Sequence, residues 1–219
     1  MINKQRFRLI IDLLMTIVLL LLMLFQITGQ QVHEYLGIMM LVLFLGHNFL
    51  NGKWYSHLFK GKYKFYRFIQ TILNISILMI MLCLGYSGMA MAQYVPFSIS
   101  GSLSLTRRLH LACSYWGFVL MSLHLGMHLR QMMNMFKKYI HLKTNVLKII
   151  KLVFIIIFLY GIYCFIQNNI ISYMLLIHEF VFFDFEKNAF IVLLEYIAMM
   201  GLWIGVGNLI TQITFKARN

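Results

Sequence analysis

Four histidines fall into two pairs with one spacing. His33 and His47 stand 14 residues apart in VHEYLGIMMLVLFLGHN, and His110 and His124 repeat that separation in LHLACSYWGFVLMSLHLGMH. On an α-helix 14 residues come within about 40° of a whole number of turns and rise about 21 Å. Each segment therefore presents two imidazoles on one face, one near each side of a hydrocarbon core about 30 Å thick. Two imidazoles on opposite sides of a flat macrocycle are a common way to hold b-type haem within a helical bundle. Two such segments facing each other predict two non-covalent b-type haems stacked across a membrane, with His33, His47, His110 and His124 as iron ligands.

Chance gives a poor account of the repeat. Eight histidines in 219 residues make 28 pairs, and random placement predicts only about 0.24 pairs at separation 14. His128, one turn beyond His124, is an alternate ligand for the inner site; interfacial and haem-propionate roles are open to it as well. Each ligating imidazole also needs an acceptor on its other nitrogen to fix the tautomer, and the sequence does not name these acceptors. A different chemistry competes. Seventeen methionines accompany the histidines, and thioether with imidazole suits copper, so a transition-metal transporter is the alternative function. The methionines are scattered (IMMLV, HLRQMMNMF, AMMG) without a repeated array on one face, and flexible packing explains them more simply. A structural membrane subunit without cofactor is a third class, and it leaves the repeat unexplained.

The elements that must position these histidines follow from composition. The chain is 61% hydrophobic and 11% charged, with a mean hydropathy of +0.80, which is the profile of an integral membrane protein. Six apolar stretches are long enough to span, at about 9–27, 32–50, 68–92, 109–129, 147–166 and 189–213. Lipid offers no hydrogen bonds, so each must satisfy its own backbone as a helix. The expectation is an all-α six-transmembrane-helix bundle forming a single domain over 1–219.

Charge gives the orientation. With both termini cytoplasmic, sixteen of the nineteen basic residues lie inside: Lys4, Arg6 and Arg8, then Lys53, Lys60, Lys62, Lys64 and Arg67, then Arg130, Lys137, Lys138, Lys143, Lys148 and Lys151, and finally Lys216 and Arg218. Only Arg107, Arg108 and Lys187 remain outside, a clear positive-inside bias. The net charge of +13 thus belongs to membrane topology and not to nucleic acid. The first span is too long for a signal-peptide core, and ITGQQ offers no cleavage site. The expected location is the cytoplasmic membrane, multi-pass. The second and fourth spans then run parallel, with His33 and His110 at the outer level and His47 and His124 at the inner one.

Other polar residues have both ordinary and functional readings. Asp12 lies one turn after Arg8, and the two are expected to pair; a proton or quinol-head contact is the alternative. Gly37 and Gly46 leave the helix bare beside the histidines, for a neighbouring helix or for a macrocycle. Arg107 and Arg108 are outside cations at a helix N-terminus, where both the topology rule and the dipole disfavour them. Haem propionates or lipid phosphates would compensate. The loop NGKWYSHLFKGKYKFYR has the lysine–aromatic composition of a membrane interface, and His57, like His141, reads as a solvated loop residue. The third span carries no histidine and reads as structural. NNIISYMLLIHEFVFFDFEKN is too short to span twice and reads as an interfacial or re-entrant segment on the outside. Glu195 suits either proton or quinone contact, or snorkelling to the outer interface. The three cysteines, Cys83, Cys113 and Cys164, lie in spans as small buried residues, and with no C-x-x-C-H motif covalent c-type haem is excluded.

The segments HEYLGIMMLVLFLGHNFLNGKWY, RRLHLACSYWGFVLMSLHLGMH and FVFFDFE resemble the prokaryotic flavinylation-associated transmembrane cytochrome family, over nearly the whole chain. The histidine spacing is also similar to that of the cytochrome b subunit of quinol–cytochrome c reductase, and the architecture to that of the formate dehydrogenase membrane subunit. The resemblance implies an electron-transfer subunit and places His33, His47, His110 and His124 as axial ligands. It further implies an extracytoplasmic FMN-binding or flavinylated protein as acceptor. Menaquinol or a cytoplasmic dehydrogenase would be the donor, and Glu179, Asp184 and Glu186 would help to orient the acceptor. The chain has no nucleotide-binding glycine motif, so NAD(P)H or flavin chemistry would belong to a partner.

Overall fold

The computed structural model describes residues 4–61, 63–96, 99–137 and 144–216, and among them every regular element is helical. Six long helices run α1 (Lys4–Met23), α2 (Phe25–Leu50), α4 (Phe65–Met91), α5 (Leu103–Lys137), α6 (Thr144–Gln167) and α8 (Ala189–Lys216), with single-turn helices α3 (Lys53–His57) and α7 (Ile170–Met174) between them. Four of these, α2, α4, α6 and α8, are long and apolar enough to cross a membrane. The other two carry polar residues: Lys4, Arg6, Arg8 and Asp12 in α1, and three histidines with Arg107, Arg108 and Arg130 in α5. The expected spans nevertheless fall on the six long helices. The boundaries of three helices move by several residues: α1 ends at Met23 instead of near 27, α2 begins at Phe25 instead of near 32, and α5 runs from Leu103 to Lys137 instead of 109–129.

The reversal between α1 and α2 is built on Gly29, whose φ of 70° and ψ of 173° interrupt the helix. That region of backbone space is open essentially to glycine alone. A turn this short makes α1 and α2 close antiparallel neighbours, as the TGQQ segment predicts.

α5 is the centre of the bundle. Its 35 residues extend about 52 Å, and it packs closely on α4 and on α8, while α6 packs on the far side of α8. Small residues allow these approaches. A Cβ on Gly126 would overlap the Ile204 carbonyl, one on Gly207 the Leu123 carbonyl, and one on Gly161 the Ala198 carbonyl. Phe118, Val119, Met127, Met199 and Met200 fill the resulting core, so several methionines do serve as buried packing. Buried hydroxyls are satisfied by helix carbonyls: Ser122 donates to Phe118 O at 2.6 Å and Thr211 to Gly207 O at 3.0 Å. Outward faces stay apolar, with Val42, Leu45, Leu82, Leu152 and Ile213 all exposed, which fits a lipid-facing surface.

α2 is held differently. Over 26 residues it buries only Met40 and Phe44, and α2 and α5 are not among the helix pairs that pack closely. The two histidine-bearing helices therefore face each other through side chains and not through a backbone seam. Beyond α6, a left-handed Asn169 (φ 50°) leads into α7, and an irregular segment runs on to α8. Of the expected interfacial helix or re-entrant segment, one helical turn forms, followed by an irregular, aromatic strap.

Candidate haem-ligand site

At one end of α2 and α5 the His33 and His110 rings face each other, centroids 6.0 Å apart and planes at 69°. Two metal–nitrogen bonds of about 2 Å each, plus the depth of each ring behind its nitrogen, sum to about 6 Å. The spacing therefore suits two imidazoles placed on either side of one iron. His110 Nδ1 lies 3.1 Å from Ser87 Oγ, and the Ser87 hydroxyl itself donates to Cys83 O at 2.7 Å. With its proton so used, Ser87 accepts from His110 Nδ1–H, which leaves the Nε2 lone pair free for a metal. His33 Nδ1 is buried without a hydrogen-bond partner, a state that is costly for a polar atom. Gly88 stands beside His110, where a Cβ would come within 3.6 Å of the ring. At Gly37, one turn from His33, a Cβ would meet nothing within 4 Å, whereas Gly46 faces Ile11 of α1. Helix packing thus accounts for Gly46 and not for Gly37.

The other end assembles differently. Asp12 of α1 reaches His47, with Oδ1 and Nδ1 2.7 Å apart. The expected Arg8–Asp12 pair does not form there: Arg8 Nη2 donates instead to the Leu50 carbonyl at the end of α2, and its Nε is buried without a partner. The physical reason is that α2 brings both a helix C-terminus, which attracts a cation, and an imidazole, which takes the carboxylate. Asn51 lies 3.3 Å from His47 Nε2, a long contact. His124 has a buried, unpartnered Nδ1. Its nearest ring is that of His128, at 4.7 Å, while His47 is within electrostatic range. His128 is engaged on both nitrogens, by Gln70 Nε2 at 3.0 Å and Gln131 Oε1 at 3.1 Å.

α4, read from sequence as structural, supplies hydrogen-bond partners at both ends: Ser87 and Gly88 beside His110, and Gln70 beside His128. The signal was present as polar residues within an apolar helix. Asp12 was visible too, but its partner lies 35 residues away, and no local spacing rule finds it.

The arginines and acids lie at the His33 end. Arg108 Nε faces Glu179 Oε1 at 3.5 Å, both about half exposed, and Arg107 is exposed. Asp184 and Glu186 are exposed neighbours in the strap. His33 stacks edge-on against Phe25 (5.1 Å), Phe25 lies on Phe183 (5.7 Å), and Phe183 meets Phe185 (6.0 Å), which is 78% exposed. Glu195 pairs with Lys187 at 2.5 Å and accepts from Asn168 at 3.3 Å. They line a cleft of about 90 Å³ with Tyr115, Tyr173 and Tyr196. Cys164 is buried, and Cys83 and Cys113 are half buried, all as free thiols. His57 is exposed in α3, while His141 lies outside the described residues.

No group of three or more His, Cys, Asp or Glu side chains converges as a metal centre among the described residues. Haem asks only two axial ligands of the protein, so histidine pairs are the relevant unit. No protein-family model, curated protein or solved structure matches this chain.

Proposed function

We propose that the chain is a di-haem b-type cytochrome that carries electrons across the cytoplasmic membrane to an extracytoplasmic flavoprotein. The reading is carried by the 6.0 Å facing of the His33 and His110 rings between two helices that do not otherwise pack closely. Six helices of 20 residues or more each reach the ~30 Å needed to span, and with both termini cytoplasmic the basic residues fall inside. His33 and His110 then form the outer site, His47 and His124 the inner one.

Haem bound at each site would take up and release single electrons. The protein's own residues do the remaining work. Ser87 and Asp12 each accept the Nδ1 proton of a ligating histidine and fix its orientation. Gln70 and Gln131 engage both ring nitrogens of His128, which favours His124 over His128 as the inner ligand. Arg107 at the outer site is a cation available to haem propionates. Menaquinol or a cytoplasmic dehydrogenase would be the electron source. At the outlet, the Phe25–Phe183–Phe185 series runs from His33 to the surface, where Glu179, Asp184 and Glu186 would orient the acceptor. The affinity of this reading with the flavinylation-associated cytochromes rests on sequence resemblance.

The test is transmembrane electron flow. Vesicles containing the purified protein and an enclosed reductant should reduce external ferricyanide, and His110→Ala should abolish the flux. Equal flux from protein-free vesicles would contradict the proposal.

A further inference from the structure

We propose that Asp12 is a positioning residue that makes the two histidine levels electronically unequal, lowering the reduction potential at the His47/His124 site and so directing electrons towards His33/His110. This inference rests on the haem reading above. Its basis is a difference between the second partners of the ligand histidines. His47 Nδ1 meets a carboxylate at 2.7 Å, whereas His110 Nδ1 meets a neutral hydroxyl at 3.1 Å. The Nδ1 atoms of His33 and His124 have no hydrogen-bond partner. Among the described residues, Asp12 is thus the one anion in contact with any of the four ligand candidates.

A carboxylate is acceptor-only, so it takes the Nδ1 proton of His47 and draws that proton towards itself. The imidazole becomes a stronger electron donor through Nε2. A stronger donor stabilises the more positive, oxidised iron and lowers its reduction potential. The contact is partly exposed, with 28% and 34% of the two side chains accessible, so solvent screens part of the effect without changing its sign.

Other charges near the two levels do not cancel this difference. Arg8 is the nearby cation at the His47 end, but its guanidinium is directed to the Leu50 carbonyl. Glu34 is adjacent to His33 in sequence, yet its carboxylate accepts from the backbone N–H groups of Gln93 and Tyr94 and from the Gln30 side chain. It lies within electrostatic range of the His33 ring but makes no hydrogen bond to it, whereas Asp12 is in direct contact with His47. An electron leaving reduced iron at the His47 level, oxidising it, would therefore reduce iron at the His33 level downhill. Quinol or dehydrogenase supplies that electron at one end, and an oxidised flavin removes it at the other.

The experiment is a spectroelectrochemical titration of the full-length protein. Wild type should show two reduction waves. His110→Ala, which retains only the His47-level haem, should keep the lower wave and so assign it. Asp12→Asn in that background should move the remaining wave upward, and Asp12→Glu, which restores the charge, should bring it back down. Ser87→Ala should leave the lower wave in place. Asp12→Ala should bind its haem about 10–100-fold less tightly. If Asp12→Asn releases haem altogether, the Asp12→Glu wave decides: a low position supports the inference and a raised one overturns it. An unchanged wave in Asp12→Asn, or an upper wave retained in His110→Ala, also overturns it. Wild-type protein without haem would instead reject the underlying cytochrome reading.

Discussion

The two ends of the α2–α5 interface use the same ligand spacing in different surroundings. At the His33 end the two rings already face each other at 6.0 Å, with a hydroxyl behind one of them and an exposed surface beyond. At the His47 end the rings are not in contact; His124 lies against His128 instead, and a carboxylate has taken hold of His47. On the proposed reading, one level would be preset in ligand geometry and the other in ligand electronics. A repeated spacing fixes where histidines stand along a helix, but the neighbours from α1 and α4 decide what each can do.

The largest effect should come from the end whose rings face each other. His110→Ala removes one imidazole of a facing pair, and haem content should fall from about two per chain to about one, read by pyridine haemochrome. Loss of both haems would show that the two levels are not independent. Next in size is the seam that holds α5 in place. Gly207→Val puts a side chain into the Leu123 carbonyl, and should cost at least the ~1–3 kcal/mol of ordinary overpacking, seen as a lower thermal midpoint with or without haem. Gly37→Leu is the contrasting case. A Cβ there meets nothing within 4 Å, so the apo protein should be unaltered within about 0.5 kcal/mol, while the outer haem is retained less well. Equal haem content in this variant would place the macrocycle away from Gly37. His128→Ala should have the smallest effect, leaving two haems, because both ring nitrogens are already engaged by glutamines. Loss of the inner haem in that variant would exchange the roles of His124 and His128.

Much of the framework was legible in the sequence because lipid restricts the options. Long apolar runs must be helical, and four of the six expected spans fall on helices long and apolar enough to cross a membrane, with the other two centred on the long helices α1 and α5. The facing of His33 and His110 was legible from a 14-residue repeat on two segments of matching direction. The partners were not. Arg8 and Asp12 have the i, i+4 spacing of an ion pair, yet the terminus of α2 and the His47 ring divide them, and that competition exists only once α2 has folded back. Ser87 and Gln70 read as incidental polar residues of α4 until α5 packs beside them. The segment before α8 was expected as an interfacial helix or a re-entrant stretch; Asn169 and Leu176 adopt left-handed backbone, so only one helical turn forms there.

The most direct measurement of the central claim is haem stoichiometry on purified, detergent-solubilised protein expressed with ample haem, read with a reduced-minus-oxidised spectrum. The account predicts close to two b-type haems per chain, low-spin and bis-histidine ligated. One haem would confine the site to a single histidine pair. None would contradict the account and bring the histidine–methionine metal transporter forward in its place.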